Sequence, residues 1–146
     1  SRIEGGVFSS SKGYAVTLPG GAWRVSEDGR ADLELRHPAD SAGMLVNAAC
    51  EGQAPGRSFD ILRRHLLAGL RHREILEEGE VAVGGRRAVH AIVDGQLADG
   101  APRMRVEMYV VKDERCVYDF LYVAPPEAFE AWRPDFLRLV ETLTTR

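Results

Sequence analysis

Two residues in the middle of the chain, Asp99-Gly100, constrain its fold more than any others. They separate two long runs of alternating polarity, Arg86–Ala98 and Ala101–Val111. Aspartate followed by glycine fits a two-residue hairpin turn, because glycine accepts positive φ at no steric cost. Pairing Ala98 with Ala101 then fixes every partner along the hairpin. Val93 faces Val106, Ala91 faces Met108 and Val89 faces Val110. On the other face Asp94 meets Arg105, Ile92 meets Glu107 and His90 meets Tyr109. One face is apolar and the other gains an opposite-charge pair, and a one-residue slip would undo both.

A second turn at Asp113-Glu114 adds the run Arg115–Ala124 and makes a three-strand meander. The expected pairs are Val110 with Val117, Met108 with Asp119 and Val106 with Leu121. The opposite face would carry Tyr109–Tyr118, Glu107–Phe120 and Arg105–Tyr122. This last strand is apolar or aromatic on both faces, through Cys116, Tyr118, Phe120 and Tyr122 on one and Val117, Leu121 and Val123 on the other. A sheet open to water on one side would alternate cleanly. Two apolar faces imply cover on both. The expected fold class is therefore α+β: a mainly antiparallel twisted sheet of about six to seven strands with helices on both faces, an α/β/α sandwich.

Short strands are expected earlier, at Gly13–Leu18, at Trp23–Val25, over Ala31–Arg36 and over Met44–Cys50, with a further one at Glu80–Val83 before the Gly84-Gly85 hairpin signal. Ser58 is a good helix N-cap. Ile61, Leu62, Leu66 and Leu70 recur at helical spacing, which predicts an amphipathic helix over Phe59–Arg73. After Pro125-Pro126, the stripe Phe129, Trp132, Phe136, Leu139, Val140 and Leu143 predicts a C-terminal helix. Pro134 should break or kink it near Trp132. Residues 1–12 are small and polar, apart from Val7 and Phe8, and read as a flexible arm or the remainder of a removed segment. Residues 13–146 read as one domain, a size at which roughly 70% of the open chain's surface is buried on folding.

Bulk properties exclude more than they assign. The formal net charge of −3 does not suit a general nucleic-acid binder, and arginine outnumbers lysine 17 to 2 without clustering. No run approaches the ~20 apolar residues of a membrane span. The start at Ser1, without methionine, reads as a mature form or a fragment. A lipid anchor lost with an upstream segment is compatible with it, and cell envelope, periplasm and cytoplasm are not distinguished. Cys50 and Cys116 both lie in apolar strand-like runs. Two buried thiols are the plainer reading, a disulfide the alternative.

The order of elements and several local motifs resemble the PsbP-like fold superfamily, which includes small bacterial proteins and lipoproteins. The matching residues are Phe8, Gly13-Tyr14 through Leu18-Pro19 to Trp23, and Val83-Gly84-Gly85-Arg86-Arg87-Ala88. They continue with Tyr118-x-Phe120-x-Tyr122 into Pro125 and Phe129, and end with Phe136-x-x-Leu139-Val140-x-Thr142-Leu143. The resemblance implies an antiparallel sheet between helices and a non-enzymatic binding or assembly role. It carries over no partner and no catalytic residue.

No catalytic, cofactor or metal motif is present. His65 and His72 are seven apart, too far for shared ligation. Neither GxxxxGK[ST] nor GxGxxG occurs. Arg63, Arg64, Arg71, Arg73 and Arg86-Arg87, interrupted by Glu74, Glu77, Glu78 and Glu80, read as a solvated face. Asp119 breaks the pattern, because the register sets a carboxylate on an apolar face, where it is costly unless paired. His90, Tyr109, Tyr118 and Tyr122 should share the opposite face. With Asp119 they are the candidate binding residues. The expected function is a non-catalytic interaction or assembly domain of a bacterial protein with a protein partner. The alternative is a small-molecule or lipid carrier with a pocket between sheet and helix.

Overall fold

The hairpin at Asp99-Gly100 forms as its turn chemistry dictates. The Ala101 N–H donates to the Ala98 carbonyl at 3.1 Å, and Gly100 takes φ +78°. The computed structural model describes residues 1–52 and 67–146. In chain order these form β1 (Arg2–Glu4), β2 (Val7–Ser9), β3 (Tyr14–Thr17), β4 (Arg24–Val25), β5 (Leu33–His37) and β6 (Ala42–Ala49). Then follow β7 (Arg71–Val83), β8 (Arg86–Gln96), β9 (Arg103–Lys112), β10 (Val117–Ala124), helix α1 (Phe129–Glu141) and β11 (Thr144–Thr145).

Seven strands make the main sheet, in the order β4-β5-β6-β10-β9-β8-β7, with every neighbouring pair antiparallel. All six expected pairs between β8 and β9 occur, including Asp94 with Arg105. That pair is bidentate, at 2.8 and 3.0 Å.

The β9–β10 register differs from expectation by two residues. Asp119 lies opposite Val110, not Met108, and Tyr122 lies opposite Glu107. The cause is the turn. Asp113 Oδ1 accepts from the N–H groups of Arg115 and Cys116, each at 2.8 Å, and the Asp113 N–H donates to the Cys116 carbonyl. An aspartate that bonds the backbone two residues on holds its own turn. The loop therefore takes Asp113–Cys116, and β10 begins at Val117. A shift of two keeps every side chain on its expected face.

Each face has its own core. One contains Phe8, Val46, Phe120, Tyr122, Phe129, Phe136, Leu139 and Val140, under α1. The other contains Ala91, Val93, Val106, Met108, Val110 and Val117, with Leu67 and Leu70 against them. Burying one such phenylalanine or leucine is worth about 1.5–3 kcal/mol. The described residues hold one helix, α1, and it covers the first face. The expected helix Phe59–Arg73 falls mostly on residues 53–66, outside the described residues. Its expected end is corrected. Leu67 is helical, but Arg71, His72 and Arg73 already belong to β7, so His72 is not on a helix face. That strand is 13 residues long, far longer than the expected Glu80–Val83. It turns into β8 at Gly84-Gly85, whose φ values of +57° and +79° suit the hairpin turn that two glycines allow.

The N-terminal residues are not a free arm. β1 and β2 pair with each other, β2 pairs with β3, and β11 closes the other side of β3. Phe8 is buried and anchors this small sheet to the first core. Tyr14 packs edge-on to Tyr118, with ring centroids 5.5 Å apart, and donates its hydroxyl to Asp32.

Pro134 does not end α1, which runs through it from Phe129 to Glu141. A proline inside a helix costs about 3 kcal/mol and disfavours helical geometry in the residue before it. Here Phe129 is buried ahead of the proline and Phe136, Leu139 and Val140 behind it. The preceding residue, Arg133, is held by a buried carboxylate described below.

Cys50 and Cys116 form a disulfide, 66 residues apart in sequence, so the reading as two free thiols is corrected. The ladder explains it: Val117 pairs with Ala49, which sets the next residue of each strand side by side. The bond ties the end of β6 to the start of β10 at the middle of the sheet. A cross-link closing a loop of this length removes about 4 kcal/mol of unfolded-state entropy. Replacing both cysteines by alanine should therefore lower stability by about 2–5 kcal/mol in denaturant titrations. Wild-type protein under reducing conditions should show the same loss.

Candidate functional site

The β8–β9 register places His90 beside Tyr109, with ring centroids 4.6 Å apart and planes 35° apart. Glu107 lies on the same face, two residues along β9, and is fully buried. A buried carboxylate needs partners. Arg133 on α1 supplies two hydrogen bonds, Nε to Oε1 and Nη2 to Oε2, both at 2.8 Å. His90 supplies a third from Nε2 to Oε2 at 2.6 Å. Burial alone would raise the Glu107 pKa. The hydrogen bonds from His90 and Arg133 outweigh it and hold the carboxyl below its ordinary range. Burial, with Glu107 nearby, raises the Tyr109 phenol.

All three donors converge on one carboxylate, so Glu107 has little basicity to offer a reaction. The cluster binds helix to sheet. Its outer side opens on a shallow hollow of about 180 Å³ between α1 and the β7–β8 turn, lined by Ala82, Val83, Gly84, Tyr109, Leu137, Val140 and Glu141.

The other candidates make none of the Glu107 hydrogen bonds, although Tyr122 lies opposite Glu107. Tyr118 is fully buried, and its hydroxyl donates to Asp113 Oδ2 at 3.0 Å. Tyr122 is fully buried, donates to the Phe129 carbonyl at 2.7 Å and stacks on Phe136. Asp119 lies on the other face of β10, between Asn47 and Val110. It is half-buried, and among the described residues it has no hydrogen-bond or ion-pair partner. Burial pushes its carboxyl up to about 6.

Two clusters escaped sequence reasoning. Arg133 and Glu107 are 26 residues apart on different elements, and no spacing rule links them. The available signal was a glutamate with Tyr109, Phe120 and Tyr122 among its neighbours on that face. The second cluster surrounds His37, which ends β5 and is buried against Trp132 at 3.9 Å and Trp23 at 5.2 Å. Among the described residues, neither of its ring nitrogens has a hydrogen-bond partner. The indoles donate outward, Trp23 to Asp135 at 3.0 Å and Trp132 to Asp40 at 2.5 Å.

The edge strand β7 lies at the other side of the sheet from His37. Among the described residues it pairs with β8 alone, and twelve of its thirteen residues are exposed. Ile75, Leu76 and Val81 are among the few large apolar side chains in water, with Ile75 53% exposed. Among the described residues, no group of three or more His, Cys, Asp or Glu side chains could hold a metal ion.

No protein-family model matches the chain, and no curated protein matches it. Solved structures do. Cyanobacterial PsbP (CyanoP) from Synechocystis superposes with a TM-score of 0.64 at 11% identity, covering 96% of this chain and 91% of that one. The fold is PsbP-like. LpqN, involved in cell envelope biogenesis of Mycobacterium tuberculosis, has the same PsbP-like fold, with a TM-score of 0.65 at 14% identity over 91% of this chain and 83% of that one. A protein of unknown function from Pseudomonas aeruginosa matches at 0.60 and 13% identity over 96% of both. At such identities the likeness concerns the fold alone.

Two outcomes test the electrostatics. Arg133→Met strands a buried charge and should cost about 3–5 kcal/mol at neutral pH. Because the Glu107 pKa is depressed when folded, its contribution is present above the ordinary carboxylate range and is lost as pH falls through the depressed value. The variant's deficit should therefore shrink in acid. Asp119 has the opposite sign. Its pKa rises from 3.8 to about 6 on folding, so stability falls as pH climbs through that window. Asp119→Asn should give no gain near pH 4 and a gain of about 1–3 kcal/mol above pH 7, read by thermal unfolding at both values.

Proposed function

We propose that this chain is a non-catalytic interaction or assembly domain of a bacterial protein, and that it docks its partner through the β7 edge. The carrying observation is that edge: a 13-residue outer strand, exposed almost throughout, with Ile75, Leu76 and Val81 in water. Outer strands are ordinarily short, covered, bulged or charged, because their unpaired backbone groups recruit other chains, and β7 is irregular only before Glu77. A long open one offers the strand-addition mode of peptide recognition. The saturated Glu107 cluster supports the non-catalytic part. The two dry faces of the sheet support the three-layer reading, with helix over the core that holds Met108 and Val110 as well as over the other.

A carrier role has less support. The hollow between sheet and helix is about 180 Å³, below the ~300 Å³ at which ligand pockets begin. The Cys50–Cys116 disulfide supports an oxidising compartment such as the cell envelope, since disulfides rarely persist in a reducing cytosol. The envelope role of LpqN agrees with that setting.

Replacing Ile75 and Val81 together by serine should leave the thermal midpoint within a few degrees, because both side chains are exposed. It should weaken binding to a partner isolated with the wild-type domain by about tenfold or more. Undiminished binding would exclude the edge as the docking surface.

A further inference from the structure

The charges on β7 specify what can pair with it. The strand reads Arg71-His72-Arg73-Glu74-Ile75-Leu76-Glu77-Glu78-Gly79-Glu80-Val81-Ala82-Val83. Four glutamates fall within seven residues. Its two arginines with described contacts are turned to the chain's own groups. Arg71 pairs with Asp99 at 2.9 Å, and Arg73 donates to the Leu67 carbonyl at 2.9 Å. Glu80 meets Arg87 at 3.5 Å, a pair more than 70% exposed on both sides and so worth little.

The ladder to β8 shifts register between Arg71 and Glu74 and again between Ile75 and Glu77. From Glu77 to Val83 it is regular. A regular strand stretch presents alternate backbone N–H and C=O groups away from its neighbour, which is what an added strand requires. The opposite edge of the sheet is β4, two residues long, which cannot template a partner.

A second copy of the chain is a poor occupant. Antiparallel self-pairing about Gly79 sets Glu78 opposite Glu80 on both sides of the centre, and like charges directly opposed are destabilising. The same charges favour an extended segment bearing Lys or Arg at alternate positions, with apolar residues between them to meet Val81 and Val83.

We propose that the Glu77–Val83 edge binds an extended basic segment of a protein partner as an eighth strand. This rests on the edge-docking reading above and adds the partner's chemistry.

The test uses three labelled heptapeptides on the whole domain: alternating lysine–valine, alternating glutamate–valine, and a flexible lysine–glycine peptide of the first one's charge. Binding is read by fluorescence anisotropy and located by amide hydrogen exchange. The lysine–valine peptide should bind at least about tenfold tighter than either other peptide, with new protection confined to Glu77–Val83. The double variant Glu78→Lys with Glu80→Lys, two positions on one face of the strand, should reverse the preference toward the glutamate–valine peptide while keeping its circular dichroism spectrum. Equal binding of the lysine–glycine peptide would overturn strand addition. A preference unmoved by the charge reversal would overturn the assigned charge. No binding of any peptide would show that the glutamates only guard the edge. If the serine variants above abolish partner binding but the partner's contact segment proves acidic or neutral, edge docking stands and this proposal falls.

Discussion

The fully buried Glu107 carboxylate organises the helical side of the molecule. It lies in the middle of β9, where water cannot reach it, so it must be satisfied by protein donors or not be charged at all. Arg133 and His90 supply three donors from two other elements. That requirement fixes the rotation of α1 over the sheet, because only one helix face can bring Arg133 down. It also holds the residue before Pro134 in helical geometry, at the one point where the local sequence argues for a break. The aromatic packing of Phe129, Tyr122 and Phe136 then closes around a helix whose position is already set.

A buried ion pair is weak grounds for net stability, since desolvation consumes much of the attraction. Its contribution here is geometric. An apolar residue at position 107 would fill the same space yet let the helix slide along its stripe. The disulfide works on a different term, limiting the unfolded chain and holding β6 to β10 where no sequence-adjacent hairpin does so. Together the two constraints secure the centre of the sheet and leave its outer strand, β7, free to carry exposed apolar side chains and a row of glutamates.

Much of the meander was legible because its rules are local. Asp99-Gly100 admits one register between β8 and β9, and all six expected pairs follow from it. Gly84-Gly85 likewise marks a turn that almost only glycines accept. The β9–β10 register was off by two residues because Asp113 bonds its own backbone and lengthens the loop, while both lengths keep the same face pattern. The N-terminal strands were missed because Arg2–Glu4 has no alternation of its own, and it is ordered by pairing with Val7–Ser9. The full length of β7 was missed because Arg71–Glu80 is charged and exposed. Its strand character comes from β8 beside it, and edge strands need no buried face.

The site was less legible than the fold. His90 and Tyr109 were placed together by register alone. Their neighbours Glu107 and Arg133, and the burial of His37 between two tryptophans, depend on which helix face meets which strand. The sequence by itself determined the Asp99-Gly100 and Gly84-Gly85 turns, the face of each central strand and the apolar stripe of α1, because these follow from periods of two and 3.6 residues and from the φ values glycine allows. Only the tertiary structure decided the Cys50–Cys116 bond, the three-donor cage around Glu107 and the openness of β7. Those join residues far apart in the chain, and their geometry exists only once sheet and helix have packed.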